Sequence, residues 1–238
     1  MALKVTRYLM LALLVMASGV AYAYSNIARC IFVDYSNFTE IQNNLYVSGH
    51  ISSNEHTNIR VMIYDAKRRI TKYYGKPKAN PVVIVTGNKE EAENYGLHDI
   101  PGSLFFTPWN SYLVLNHYKA GVDVASHELV HAEIVDRLGY FTRQRELPTW
   151  FDEGAALQVD FRPQYTETTE IKKEELNRVT ALDSPDKFWS SDTEQNIKNY
   201  QSAKIAVAKF LKEHPSRSLY ALLARISEGE KFEEIIKN

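Results

Sequence analysis

The run His127-Glu128-Leu129-Val130-His131 sets two imidazoles four residues apart, with a carboxylate beside the first. On a helix, positions i and i+4 differ by about 40° of rotation and one turn of rise, so the two rings project side by side and can grip one ion. Zinc accepts imidazole nitrogen or carboxylate oxygen at about 2.0–2.2 Å, and a catalytic zinc takes three protein ligands and leaves a fourth position to water. Glu153, in the segment Trp150-Phe151-Asp152-Glu153-Gly154-Ala155-Ala156 and separated from His131 by 21 residues (132 to 152), offers the third ligand. Glu128 then stands where a general base must stand to take a proton from water activated by the ion. The competing reading is two histidines satisfied in a helix interface, but with 7 histidines in 238 residues this spacing rarely arises by chance.

That geometry needs a helix, and the flanking residues frame one. Asp123 offers an N-cap and Gly139, after Leu138, a C′ residue, which gives about four turns. Val124, His131, Val135 and Leu138 fall on one side, so the histidines are expected to look into protein. Upstream, Ser53 caps a helix carrying Ile59, Met62, Ile63, Ala66, Ile70 and Tyr73 until Gly75 and Pro77 stop it. Lys67-Arg68-Arg69 reads as its solvated face. Pro81 to Thr86 reads as a buried strand and Lys89 to Tyr95 as a short helix ended by Gly96. Ser103 to Thr107 and Ser111 to Asn116 form a hairpin around Pro108-Trp109-Asn110. Between Tyr24 and Ser52 only Leu45-Tyr46-Val47 reads as a strand.

Downstream the pattern is helical. Thr166 to Val179 reads as an exposed helix and Asn196 to His214 as a stronger one, with Ile197, Tyr200, Ala203, Val207, Phe210 and Leu211 on one face. Pro215-Ser216 opens a helix with Leu219, Leu222, Leu223 and Ile226, and Gly229 separates a last piece carrying Phe232, Ile235 and Ile236. Strands mixed with helices before the motif helix, then helices alone, predict an α+β fold in one domain over 24–238. Within it, 24–121 forms a mixed α/β lobe, 122–160 the zinc-site helices and 161–238 a helical lobe. The 45% apolar content and absence of repeats agree with one well-buried core.

Residues Met1 to Ala23 read as a signal peptide, with basic Lys4 and Arg7, an apolar run from Tyr8 to Val20 and the small-x-small site Ala21-Tyr22-Ala23. The run is shorter than the roughly 20 residues a spanning helix prefers, so export to periplasm or medium is expected, with an N-terminal anchor as the alternative. Arg29 before Cys30 excludes a lipoprotein acceptor, and a lone cysteine cannot form an internal disulfide. Net charge is −1, and losing Lys4 and Arg7 takes it to −3. No basic cluster points to nucleic acid.

The two motifs together resemble the gluzincin metallopeptidases, in which a glutamate on a second helix completes the His-x-x-x-His site. Leu147-Pro148-Thr149-Trp150-Phe151-Asp152-Glu153-Gly154-Ala155-Ala156 is similar to the segment around the glutamate ligand in small bacterial members. Weaker echoes are Tyr200-Gln201-Ser202-Ala203 and the tail from Leu222-Leu223 to Phe232-Glu233-Glu234. The resemblance implies a zincin-like fold, with a sheet-bearing lobe over an active-site helix and a helical lobe below. It further implies zinc held by His127, His131 and Glu153, and peptide-bond hydrolysis of a peptide or protein substrate with Glu128 as base. One hairpin strand would edge the cleft. Tyr200 is the implied donor to the oxyanion, while His214 on the same helix reads as solvated. Thermolysin-like gluzincins carry an Asp one turn after the glutamate ligand, where this chain has Leu157, so Asp160 or Asp152 must orient a histidine instead. The alternative function is a zinc-containing peptide-binding or chaperone-like module without turnover.

Overall fold

The computed structural model describes residues 25–166, 172–213 and 218–237; the expected leader, His214 and Pro215-Ser216 lie outside the described residues. The chain starts with helix α1 (Ser25–Ile31), a 3-10 turn at Val33–Tyr35, and strands β1 (Phe38–Gln42) and β2 (Leu45–Ser48). The sequence reading had only a short strand here. It missed β1 because Phe38-Thr39-Glu40-Ile41-Gln42 is largely polar, as an edge strand with one exposed face can be. Asn44, at φ 60°, makes the turn in the left-handed conformation that asparagine tolerates.

Next come α2 (His56–Tyr74), β3 (Val82–Thr86), α3 (Lys89–Asn94), and the expected hairpin of β4 (Gly102–Phe106) and β5 (Ser111–Asn116). Then follow α4 (Val122–Leu138), α5 (Tyr140–Glu146), α6 (Thr149–Ala156) and a 3-10 turn at Leu157–Val159. A further 3-10 turn at Pro163–Tyr165 precedes α7 (Lys173–Thr180), α8 (Pro185–Phe188), α9 (Thr193–Glu213), α10 (Leu219–Ser227) and α11 (Phe232–Lys237). Residues 167–171 of the helix expected from Thr166 lie outside the described residues, and α7 runs from Lys173; Ser218 caps α10 by accepting from the Ala221 N–H.

The five strands form one sheet in the order β1-β2-β3-β5-β4, with β2, β3 and β5 parallel and β1 and β4 antiparallel at the edges. The strand period of two sorts its side chains onto two cores. Leu45, Val47, Val83, Val85, Leu113 and Leu115 pack with α2 and α4, whereas Tyr46, Ile84, Tyr112 and Val114 pack with Cys30, Ala92 and Tyr95 on the other face. The architecture is α+β. In the helical part, Trp150, Phe151, Phe210 and Phe232 form an edge-to-face cluster with ring centroids 4.9–6.0 Å apart.

Four local expectations are corrected by tertiary contacts. Gly121, in extended conformation, is the N-cap of α4, while Asp123 sits in its first turn with its carboxylate taken by Arg69 (2.5 Å) and the Phe161 N–H (3.1 Å). Arg69 is therefore no part of a solvated face; it also donates to the Val159 carbonyl at 2.8 Å. The N-cap of α2 is Glu55, not Ser53, and its side chain is engaged by Ser52 and His117. The motif helix α4 is also not one-sided: eleven of its seventeen residues are buried, the mark of a helix packed on several sides. Gly139, at φ 74°, ends it as expected.

Candidate metal centre

α4 runs under the sheet against β4 and β5 and delivers His127 and His131 one turn apart. α5 then makes a connecting turn, and α6 returns across α4 to deliver Glu153. The Nε2 atoms of the two histidines lie 3.2 Å apart. Glu153 Oε2 is 3.4 Å from His127 Nε2, and its Oε1 is 3.6 Å from His131 Nε2. All three residues are buried, at 5–6% exposure, and together they could hold a metal ion.

Two glycines permit the close packing around these ligands. A Cβ on Gly154 would meet the Ala203 carbonyl oxygen at 2.5 Å, so only glycine lets α6 lie this close to α9. A Cβ on Gly102 would meet Val124 Cγ1 at 2.8 Å, so the edge strand β4 rests directly on the first turns of α4.

Each histidine turns its other nitrogen to an aspartate. His131 Nδ1 donates to Asp152 Oδ1 at 2.7 Å; His127 Nδ1 contacts Asp160 Oδ2 at 3.2 Å, off-line for a good hydrogen bond. Burial by itself would drive both imidazoles toward the neutral form. Around His131 it is outweighed by Glu153 and Asp152, which hold the pKa well above the usual imidazole range, and around His127 by Asp160 and Glu153. Burial likewise opposes ionisation of Glu153, yet the nearby His131 and His127 hold its carboxyl far below the ordinary range. A cation entering the cluster must therefore displace a proton held between the two imidazoles.

The centre opens into a cavity of about 770 Å³. Glu128 lines it beside His127, half-buried. Gly102, Ser103, Leu104 and Phe106 of β4 form one wall, which settles which strand of the hairpin borders the cleft. Tyr200 lines the opposite side from α9, packed between Tyr165 and Phe188 with ring centroids 5.2 Å away in each case. Its oxygen accepts from Trp189 Nε1 at 2.8 Å, so its own proton is free to be donated. Burial, then the charge of Glu153, raises its pKa and keeps it protonated. Two cavity-lining residues, Arg143 and Arg162, were not singled out from the sequence, where both sit in segments whose spacing carries no helical or strand signal for a site. The chain matches no protein-family model, no curated protein and no solved structure.

Proposed function

We propose that this chain is a zinc-dependent metallopeptidase of the gluzincin kind, with a zincin-like fold, and that His127, His131 and Glu153 are the zinc ligands. One observation carries the reading. Three ligands at about 2.0–2.1 Å from a tetrahedral ion stand about 3.3 Å from one another, and the three ligand-atom separations here are 3.2, 3.4 and 3.6 Å. The donor chemistry agrees: two imidazole nitrogens facing each other at 3.2 Å are compatible only with a cation or proton between them. Bound there, zinc would polarise the scissile carbonyl and acidify water.

The remaining steps belong to the chain's own groups. An extended peptide adds to the free edge of β4 through backbone hydrogen bonds, which lays its scissile bond over α4. Glu128 takes a proton from the attacking water; the water oxygen bonds to the carbonyl carbon, and as the C–N bond breaks Glu128 delivers that proton to the leaving nitrogen. Tyr200 donates a hydrogen bond to the oxygen on which charge develops. Export belongs to the same proposal and rests on the leader pattern of residues 1–23. Among the described residues no helix is long and apolar enough to cross a membrane.

The test compares wild type with Glu128→Gln on an unfolded protein substrate, with zinc content measured in parallel. Cleavage should fall by on the order of 10²–10⁴-fold while zinc stays bound. A zinc-loaded wild type that binds peptides without cleaving them would favour the peptide-binding module instead.

A further inference from the structure

Behind each histidine stands an aspartate held by an arginine, hydrogen-bonded to His131 and in off-line contact with His127. Asp152, whose Oδ1 accepts from His131, offers its Oδ2 to Arg143 Nη2 at 2.5 Å. Asp160, beside His127, is gripped by Arg162 through Nε at 2.9–3.0 Å and through Nη2 at 2.5 Å. Two lines of histidine, aspartate and arginine thus run outward from one point. Each guanidinium is itself steadied on an aromatic ring, Arg143 over Phe106 at 5.1 Å and Arg162 over Tyr165 at 4.9 Å.

Charge explains why both arginines are needed. Glu128, Asp152, Glu153 and Asp160 bring four carboxylates to the centre, and the two guanidiniums offset two of them where they are most deeply buried. Asp152 and Asp160 are 5% and 0% exposed, and a buried carboxylate without a cation either takes a proton or turns toward the nearest positive charge. At this site that charge would be the metal. A freed aspartate would then compete as a ligand while its histidine lost the partner that fixes ring and tautomer.

We infer that Arg143 and Arg162 are positioning residues of the metal centre, each holding an aspartate that orients one metal-binding histidine. The inference rests on the metal-site reading above. It assigns the two arms different chemistry. Arg143 meets Asp152 through a single nitrogen, which an ammonium can imitate. Arg162 presents two nitrogens of its fork to Asp160, which a lysine cannot reproduce.

The experiment measures Zn2+ and Co2+ affinity of metal-free protein by competition with a chromogenic chelator, and the visible spectrum of the Co2+ form. It uses wild type, Arg143→Met, Arg162→Met and the two lysine variants. Both methionine variants should bind Zn2+ about 10–100-fold more weakly, with an altered Co2+ spectrum. Electrostatics alone predicts the reverse, because removing a positive charge beside the site should tighten cation binding. Arg143→Lys should regain most of the affinity and Arg162→Lys should not. Methionine variants with wild-type or tighter affinity and an unchanged Co2+ spectrum would overturn the inference. Should a methionine variant not fold, Asp152→Asn or Asp160→Asn must show the same loss, and wild-type affinity in these would overturn it equally. Failure of the wild type to bind either ion is a separate result, and sinks the metal site itself.

Discussion

Replacing Gly154 by alanine tests whether the packing of α6 on α9 fixes the metal centre. Gly154 has ordinary helical backbone, so alanine carries no conformational penalty, and helix propensity alone would favour it by about 1 kcal/mol. The obstacle is space: the new Cβ would lie 2.5 Å from the Ala203 carbonyl oxygen and 2.6 Å from Val207 Cγ2. Carbon meets a carbonyl oxygen at about 3.3 Å or more, so the helices must part by about 0.8 Å. Neither neighbour can swing aside, since one is backbone and the other a stiff β-branched side chain. Overpacking of this kind costs about 1–3 kcal/mol, and a clash with two rigid groups belongs at the upper end. Net of the propensity gain, Gly154→Ala should lose about 2 kcal/mol, or roughly 4–8 °C of melting temperature for a chain of this size. The displacement also separates Glu153, adjacent to Gly154, from Tyr200, one turn before Ala203, so turnover should fall further than stability explains. Thermal unfolding of the metal-free protein measures the first effect and kcat of the zinc-loaded protein the second. An alanine variant that melts at or above the wild-type temperature would show slack between the helices and refute the packing argument.

Removing the metal gives the next expectation: His127→Ala, His131→Ala and Glu153→Ala should each abolish binding of about one zinc per chain. In a chelator titration the wild type at 100 times its Kd of metal should lose about 2.7 kcal/mol as the ion is withdrawn, and an unmoved melting curve would mean the ion does not tie α4 to α6. The pH dependence of the metal-free protein follows from the site's charges. With the His131 pKa raised above its ordinary value of about 6.5, its stabilising contribution is complete below pH 6.5 and disappears as pH rises through the folded value. Asp152, Glu153 and Asp160 are lowered, so their contribution is present above about pH 4 and lost as pH falls. Denaturant unfolding of metal-free protein should therefore show highest stability between about pH 4.5 and 6.5, while zinc affinity climbs with pH as the histidines give up their protons; stability that rises steadily above pH 7 contradicts this. Tyr200→Phe should lower kcat and kcat/KM together by on the order of 10²-fold with zinc retained, whereas a wild-type kcat would return Tyr200 to mere packing.

What the sequence revealed depended on how local the cause was. His127, Glu128 and His131 are readable because one helix turn decides where they point, and Gly139 because a left-handed terminus needs glycine. The cap of α4 was misread because the competitor for Asp123 is Arg69, which reaches it across 54 residues. Residues around β1 gave too little apolar signal for a strand whose partners are supplied by the rest of the sheet.

The orienting partners of the histidines show the same division more sharply. Asp152 and Asp160 could both be named as alternatives from the sequence, and the fold places one beside each histidine. Asp160, seven residues after Glu153, would share its face on a continuous helix, but the helix does not continue that far. α6 stops at Ala156, a 3-10 turn takes over at Leu157–Val159, and Asp160 is already in extended conformation. Its carboxylate reaches His127 because Lys204 of α9 holds the Asp160 carbonyl at 2.7 Å and Arg162 holds the carboxylate. Leu157, at the position where a thermolysin-like chain would carry its aspartate, is instead fully buried in the core. In this chain the aspartate beside His127 stands on the loop that leaves α6 and not on the helix, and a residue there keeps its place only if charged neighbours from outside the motif hold it. On the metal-site reading proposed above, that requirement ties Arg162 to the apolar residue at Leu157: with no carboxylate on the helix itself, the one on the loop must be held from outside.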